Sequence, residues 1–230
     1  MKEQTKLKLL HIFFPNKCPC CHKAISATKL FCEKCEKDFV YPTGERCEVC
    51  FNKKEFCSCA KRPKFYFRSL SPFIYQNSAK NALLTLKTMK HKRLAKFFAE
   101  KIVADFDKKY GDVKIDAVIP VPLFKERKKQ RGFNQSELIA AEIAKIKGVA
   151  LNLDCLTQTE KSRSQHNLNF KQRFQNVSGI YKAKNIPIEC QTVMLVDDIM
   201  TSGATMNECA KMLRLEGVLK IYCVSAAKTE

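Results

Sequence analysis

Residues 193–205 read Val-Met-Leu-Val-Asp-Asp-Ile-Met-Thr-Ser-Gly-Ala-Thr. The first four are a short continuous apolar run, the pattern of a strand buried on both faces of a parallel sheet. Two adjacent acids, Asp197 and Asp198, follow at once, and then a small hydroxyl-rich turn, Thr201-Ser202-Gly203-Ala204-Thr205. From there the spacing predicts a helix over 204–215, with Cys209, Met212, Leu213 and Leu215 on its apolar side and Gly217 at its C-terminal cap.

Strand, turn and helix in that order make an anion site. The first amides of a helix have no partner inside it, and its dipole favours negative charge there. Gly203 lets the backbone approach a phosphate, and Thr201, Ser202 and Thr205 add hydroxyl donors. Two carboxylates do not suit a phosphate, but they suit two neighbouring ribose hydroxyls. The stretch therefore reads as a pocket for a ribose 5-phosphate. The plainer reading is a strand ending in Asp, with Ser or Thr capping the next helix.

At these residues the chain resembles the type I phosphoribosyltransferases, whose apolar strand, two acids and Thr/Ser-Gly-x-Thr loop bind 5-phosphoribosyl 1-pyrophosphate (PRPP). The resemblance implies an α/β fold with a parallel sheet flanked by helices. Asp197 and Asp198 would hold the ribose hydroxyls, and as the pair nearest the reacting carbon they are the candidate catalytic residues. Thr201, Ser202, Gly203, Ala204 and Thr205 would take the 5-phosphate, with Val121 and Pro122 near the pyrophosphate and Mg²⁺ accompanying PRPP.

The whole chain of 230 residues is 45% hydrophobic, enough for a packed core, and has a net charge of +19. That charge points to a polyanion, an acidic membrane surface or phosphorylated ligands. No apolar run approaches the ~18 residues of a membrane span, and no cleavable leader is apparent, so a cytoplasmic protein is expected. Thirteen cysteines in a reducing compartment argue for metal rather than disulfides.

Nine of those cysteines precede residue 60. Read as pairs they are Cys18-x-x-Cys21, Cys32-x-x-Cys35, Cys47-x-x-Cys50 and Cys57-x-Cys59. A two-residue spacer on a tight turn lets two thiolates meet one tetrahedral Zn²⁺, and two such knuckles close a structural site. Eight thiolates suffice for two zincs. Sequential pairing is simplest: Cys18, Cys21, Cys32 and Cys35, then Cys47, Cys50, Cys57 and Cys59. Cross-braced pairing stays open, as do Cys20 and His22 as replacement ligands. A small zinc-ribbon domain over 1–64 and an α/β domain over 65–230 are expected, joined by a short polar linker at 60–64.

Along the second part, 65–75 alternates as strands do, and 78–110 is helical with a candidate break near His91. The cations Lys87, Lys90, His91, Lys92, Arg93 and Lys96 read as a solvated face. Residues 115–121 read as a buried strand ending in Pro120-Val121-Pro122, followed by a basic run and then a helix over 136–147. Residues 151–181, poor in apolar side chains, read as a flap over the site. A last strand is expected over 219–226.

The cysteine-rich start, Arg131-Gly132-Phe133-Asn134-Gln135, the Gln165, Leu168, Arg173, Asn176 spacing and the Asp-Asp to Thr205 loop occur together here. That combination resembles the ComF (ComFC) competence proteins over nearly the whole chain. Thr157 and Gln158 stand where such proteins commonly carry basic residues. The resemblance implies a role in natural transformation, with incoming single-stranded DNA, a DNA-uptake helicase and a recombination mediator as partners. Basic and aromatic residues suited to single-strand binding are Lys125, Arg127, Lys128, Lys129, Arg131, Phe133 and Arg163. An active phosphoribosyltransferase with ammonia or a base as acceptor is the alternative, and a zinc-stapled scaffold with a vestigial pocket is a third. No Cys stands at residue 1 or 2, so an N-terminal glutaminase nucleophile is not expected.

Overall fold

The computed structural model describes residues 16–62, 64–159 and 179–230. It begins with an antiparallel pair, β1 (Asn16–Lys17) and β2 (Ala24–Ile25), a short helix α1 (Glu33–Lys37) and a 3-10 turn at Lys54–Phe56. Then come β3 (Arg68–Leu70), β4 (Phe73–Ile74), α2 (Asn77–Thr88) and α3 (Lys92–Tyr110). These are followed by β5 (Ala117–Pro120), α4 (Lys125–Arg131), α5 (Gln135–Lys147) and β6 (Ala150–Leu151). A second antiparallel pair, β7 (Leu156–Gln158) and β8 (Tyr181–Ala183), precedes β9 (Thr192–Met200), α6 (Ala204–Leu215) and β10 (Lys220–Lys228).

The main sheet runs β3-β10-β9-β5-β6, with β4 also on β10, and every pairing in it is parallel. The expected α/β architecture is present. Val193, Met194, Leu195 and Val196 are fully buried. Because side chains alternate along a strand, Met194 and Val196 pack with α2, α3 and α5, while Val193 and Leu195 pack with α6.

Strand β9 is longer than its apolar core. β5 stops where Val121 N–H donates to Val196 O at 2.8 Å and Pro122, without an N–H, cannot extend the ladder. On the other side β10 keeps pairing as far as Lys228 with Met200. Asp197 and Asp198 therefore lie inside a strand, just past the end of one neighbour. A parallel sheet places ligands at this carboxyl edge.

The helical stretch over 78–110 is two helices. His91 caps the second, its Nδ1 accepting from Leu94 N–H at 3.2 Å. The basic run at 125–131 is a helix, ended by Gly132 in the left-handed region at φ 75°. Most of the flap reading falls outside the described residues, and its two ends form the β7–β8 pair. The first cysteine segment packs into the sheet's own core: Cys18, Phe31, Cys35 and Phe39 share a cluster with Phe73 and Phe98.

Candidate functional site

A cavity of about 620 Å³ opens at the carboxyl edge of β5 and β9. Its lining includes Val121, Pro122, Asp197, Asp198, Thr201, Gly203, Ala204 and Thr205. These are all but one of the residues expected to meet PRPP. Ser202 stands apart: it lines a second cavity of about 290 Å³ behind the loop, and its Oγ accepts from Ala204 N–H at 3.3 Å.

The two acids are held differently. Asp197 Oδ1 accepts from Ser136 Oγ and from Asp198 N–H, each at 2.9 Å. Burial, and next the Asp198 charge, push its carboxyl up to about 8 despite those donors. Asp198 faces Lys87, with Nζ 3.4 Å from Oδ2. Lys87 leaves α2 one residue after the buried Leu86 and lines the same cavity. Arg127 and Arg131 line it from α4. The cavity thus joins two carboxylates, a helix N-terminus with hydroxyls, and three cations.

Gly203 has a positive φ of 72°. A Cβ there would lie 3.3 Å from Tyr66 Oη and 3.8 Å from Met200 Sδ. The glycine therefore serves the turn and its packing as well as the approach of a ligand. Tyr66 is buried, and its hydroxyl has no hydrogen-bond partner among the described residues. On the far side of the loop, Lys228, 2% exposed, donates from Nζ to Thr201 O at 3.0 Å. Burial pulls its ammonium down to about 8.

The first turn of α5 ties the cavity wall together. Asn134 Oδ1 accepts from Ser136 N–H at 3.0 Å as the N-cap, and its Nδ2 donates to Val121 O at 2.9 Å. Gln135 accepts from Arg131 Nη1 at 3.2 Å.

The eight cysteines fall into two quartets, Cys18, Cys21, Cys32 and Cys35, and Cys47, Cys50, Cys57 and Cys59, with the four sulfurs of each within 4.8 Å of one another. A tetrahedral zinc with bonds of ~2.3 Å needs sulfurs about 3.8 Å apart. The Cys21–Cys32, Cys47–Cys59 and Cys50–Cys57 pairs stand at 3.7, 4.0 and 3.8 Å. The two knuckles are built alike: His22 and Phe51 both turn with positive φ, and each donates its N–H to a cysteine carbonyl four residues back at 2.8 Å. Burial opposes ionisation of Cys18 and Cys47, yet backbone amides around each hold both thiols down near 7. Each quartet can hold one structural zinc. Cys20 belongs to neither: its thiol donates to Ser78 O at 3.4 Å, and burial pushes it up to about 12.

No protein-family model matches the chain. Among curated proteins, Competence protein F of Haemophilus influenzae is 27% identical over 222 residues, covering 95% of this chain and 93% of its own. Competence protein ComFC of Bacillus subtilis is 26% identical over 197 residues, covering 81% and 78%. The DNA utilization protein YhgH of Salmonella typhi is 24% identical over 212 residues, covering 90% and 88%. This chain is a homologue of competence and DNA-utilization proteins. Among solved structures, an adenine phosphoribosyltransferase is 14% identical with a TM-score of 0.41, covering 64% of this chain and 75% of that one.

Of the residues read as DNA contacts, Arg163 lies outside the described residues, as do Gln165, Leu168, Arg173 and Asn176. Phe133 is 9% exposed, so its ring is no stacking platform: the turn that Gly132 makes out of α4 points it inward. Lys125, Arg127, Lys128, Lys129 and Arg131 share the short helix α4, and Lys128 pairs with Glu137 at 2.6 Å. Lys87 was the residue missed. Helical spacing put it on the polar side of α2, and only the fold brings that side to Asp198. Among the described residues no helix is long and apolar enough to cross a membrane.

Proposed function

We propose that this chain binds PRPP with Mg²⁺ in the 620 Å³ cavity and handles incoming single-stranded DNA during natural transformation. One observation carries the ligand assignment: adjacent acids, the turn residues Thr201, Gly203, Ala204 and Thr205 opening a helix, and three cations line one cavity. A ribose needs the first, a 5-phosphate the second and a pyrophosphate the third. Asp197 and Asp198 hold the ribose hydroxyls. Thr201, Gly203, Ala204 and Thr205 cradle the 5-phosphate, with Ser202 holding the turn from behind. Lys87, Arg127 and Arg131 take the pyrophosphate beside Val121 and Pro122, where Asn134 fixes the Val121 carbonyl. The carboxylate pair offers the hard oxygen donors that Mg²⁺ prefers, and bound Mg²⁺ would neutralise pyrophosphate charge.

Support for the DNA role comes from the +19 charge and from relatives named for competence and DNA utilization. A second reading, an active phosphoribosyltransferase, is favoured by Asp197 itself. Burial raises its pKa, so once ionised it is a stronger base than an ordinary Asp carboxylate. It would take the proton from a nitrogen acceptor as the new C–N bond forms at the anomeric carbon and pyrophosphate leaves.

Phosphorus NMR of PRPP with Mg²⁺ and the protein tests both. Broadened, shifted PRPP resonances are expected. Free pyrophosphate appearing only when ammonia or a free base is added would establish the transferase reading. Resonances unchanged by the protein would remove the PRPP assignment.

A further inference from the structure

Between the second quartet and the sheet lies the segment Lys61, Arg62, Pro63, Lys64, Phe65, Tyr66, Phe67, Arg68. Its aromatic residues alternate in burial. Phe65 is 44% exposed, Tyr66 is 4% exposed and Phe67 is 43% exposed. Two neighbouring bonds explain the alternation. Phe65 N–H donates to Asn207 Oδ1 at 2.9 Å, and Phe67 N–H donates to Ile221 O at 2.8 Å. The backbone is thus fixed at both residues, so Tyr66 enters the core and its neighbours face outward. Phe65, Tyr66 and Phe67 form bends that lead into β3, and Phe67 packs edge-on against Tyr222 with ring centres 5.6 Å apart.

Half-exposed phenylalanines cost free energy in water, and Phe67 sits among cations. The Arg68 guanidinium lies 4.5 Å from the centre of the Phe67 ring, and Lys220 Nζ lies 6.0 Å from it. Lys109 lies 5.4 Å from the neighbouring Tyr110 ring. Lys61 and Arg62 are exposed just upstream. The nearby acid is Glu48, which pairs with Arg68 at 3.0 Å on the surface. Exposed rings interleaved with cations are what a single strand of nucleic acid needs: stacking faces for bases and charge for phosphates. An acidic protein segment would use the cations and leave the rings idle.

We infer that single-stranded DNA runs over this edge, with Phe65 and Phe67 stacking bases and Arg68, Lys220 and Lys109 meeting phosphates. The inference rests on the reading that the protein handles single-stranded DNA, and it moves the main contact from α4, beyond whose end Phe133 is buried, to the seam between the second quartet and the sheet. Tyr66, between the two platforms, reaches from this seam to Gly203 of the loop.

Fluorescence anisotropy of the full chain with a labelled oligothymidylate, across a salt series, tests it. Phe65→Leu with Phe67→Leu keeps apolar bulk and removes the rings. Binding should weaken at least ten-fold, the scale of one to two lost base stacks, with the salt dependence unchanged. Arg68→Gln with Lys220→Gln should make the slope of log affinity on log salt shallower by about 1.4, or 0.7 per phosphate contact. Lys125→Gln with Lys129→Gln on α4 should change little. Wild-type binding in both edge variants, with binding lost in the α4 variant, would overturn the assignment, and so would equal binding of duplex. A wild-type protein that binds no oligonucleotide would instead remove the DNA reading on which the assignment rests.

Discussion

The two cysteine quartets share a geometry and differ in what surrounds it. The first is set in the hydrophobic core. Phe31 packs on Phe97 at 4.9 Å and Phe39 on Phe73 at 4.7 Å, and Cys18 and Cys35 are buried in the same cluster as α2 and α3. The second has a polar setting. Arg46 pairs with Glu230 at 2.5 Å, Phe56 is exposed, and Phe51 is its main apolar anchor. That anchor shares a cluster with Tyr66, the residue that backs Gly203. The same four-sulfur geometry therefore sits in the main core in one place and beside the Gly203 loop in the other.

The largest effect should come from the first quartet. Cys18→Ser with Cys35→Ser removes a zinc whose binding is worth ~10 kcal/mol or more in small zinc modules, comparable to the total stability of a domain. We expect no cooperative transition in urea and a collapsed near-ultraviolet spectrum. A cooperative transition within ~2 kcal/mol of wild type, the scale of an ordinary buried substitution, would show that no metal is held there. The same exchange at Cys57 and Cys59 should be milder. The chain stays folded, zinc content falls by one per chain, and PRPP affinity drops several-fold as Tyr66 loses its backing. Equal loss of fold in both variants would erase the contrast.

Next comes the acid beside the loop. Asp197 holds its proton to about pH 8 in the folded chain, whereas an unfolded Asp releases it near ~4. Between those values the folded state binds the extra proton, so stability falls as pH rises through the window. Asp197→Asn removes that dependence. Melting curves should coincide near pH 4 and separate in favour of the variant as pH rises to 9, by several kcal/mol at ~1.4 kcal/mol per unit of pKa difference. A variant less stable than wild type at pH 9 would mean the carboxylate is welcome where it sits. The smallest effect is expected at Gly203→Ala. It places a side chain at positive φ against Tyr66 Oη, costing ~1 kcal/mol and weakening PRPP binding with the fold retained. Unchanged melting and binding would mean Tyr66 yields freely and does not link the second quartet to the loop.

What the sequence made legible was local. The Cys-x-x-Cys spacings and the run from Val193 to Thr205 hold their ligating atoms within a few residues, so chain geometry alone sets them. Asn134 lay in a motif that did not show its bond to Val121, and Ser136, just beyond that motif, gave no sign of its bond to Asp197. Lys87, Tyr66 and Lys228 were not legible, because each reaches the site from an element distant in sequence, through packing that periodicity does not encode. The same limit hid Cys20, whose partner is a carbonyl on α2, and Phe133, whose burial follows from how Gly132 ends α4. The reach of β9 past its apolar core came from β10, a strand with its own independent pattern.

The measurement that bears most directly on the site is calorimetric titration of PRPP with Mg²⁺ into the wild-type protein and into Asp197→Asn with Asp198→Asn. We predict saturable binding of one PRPP per chain to the wild type, and at least a hundred-fold weakening in a variant that melts as a folded protein. Equal affinities would place PRPP elsewhere, and absence of binding to the wild type would contradict the account.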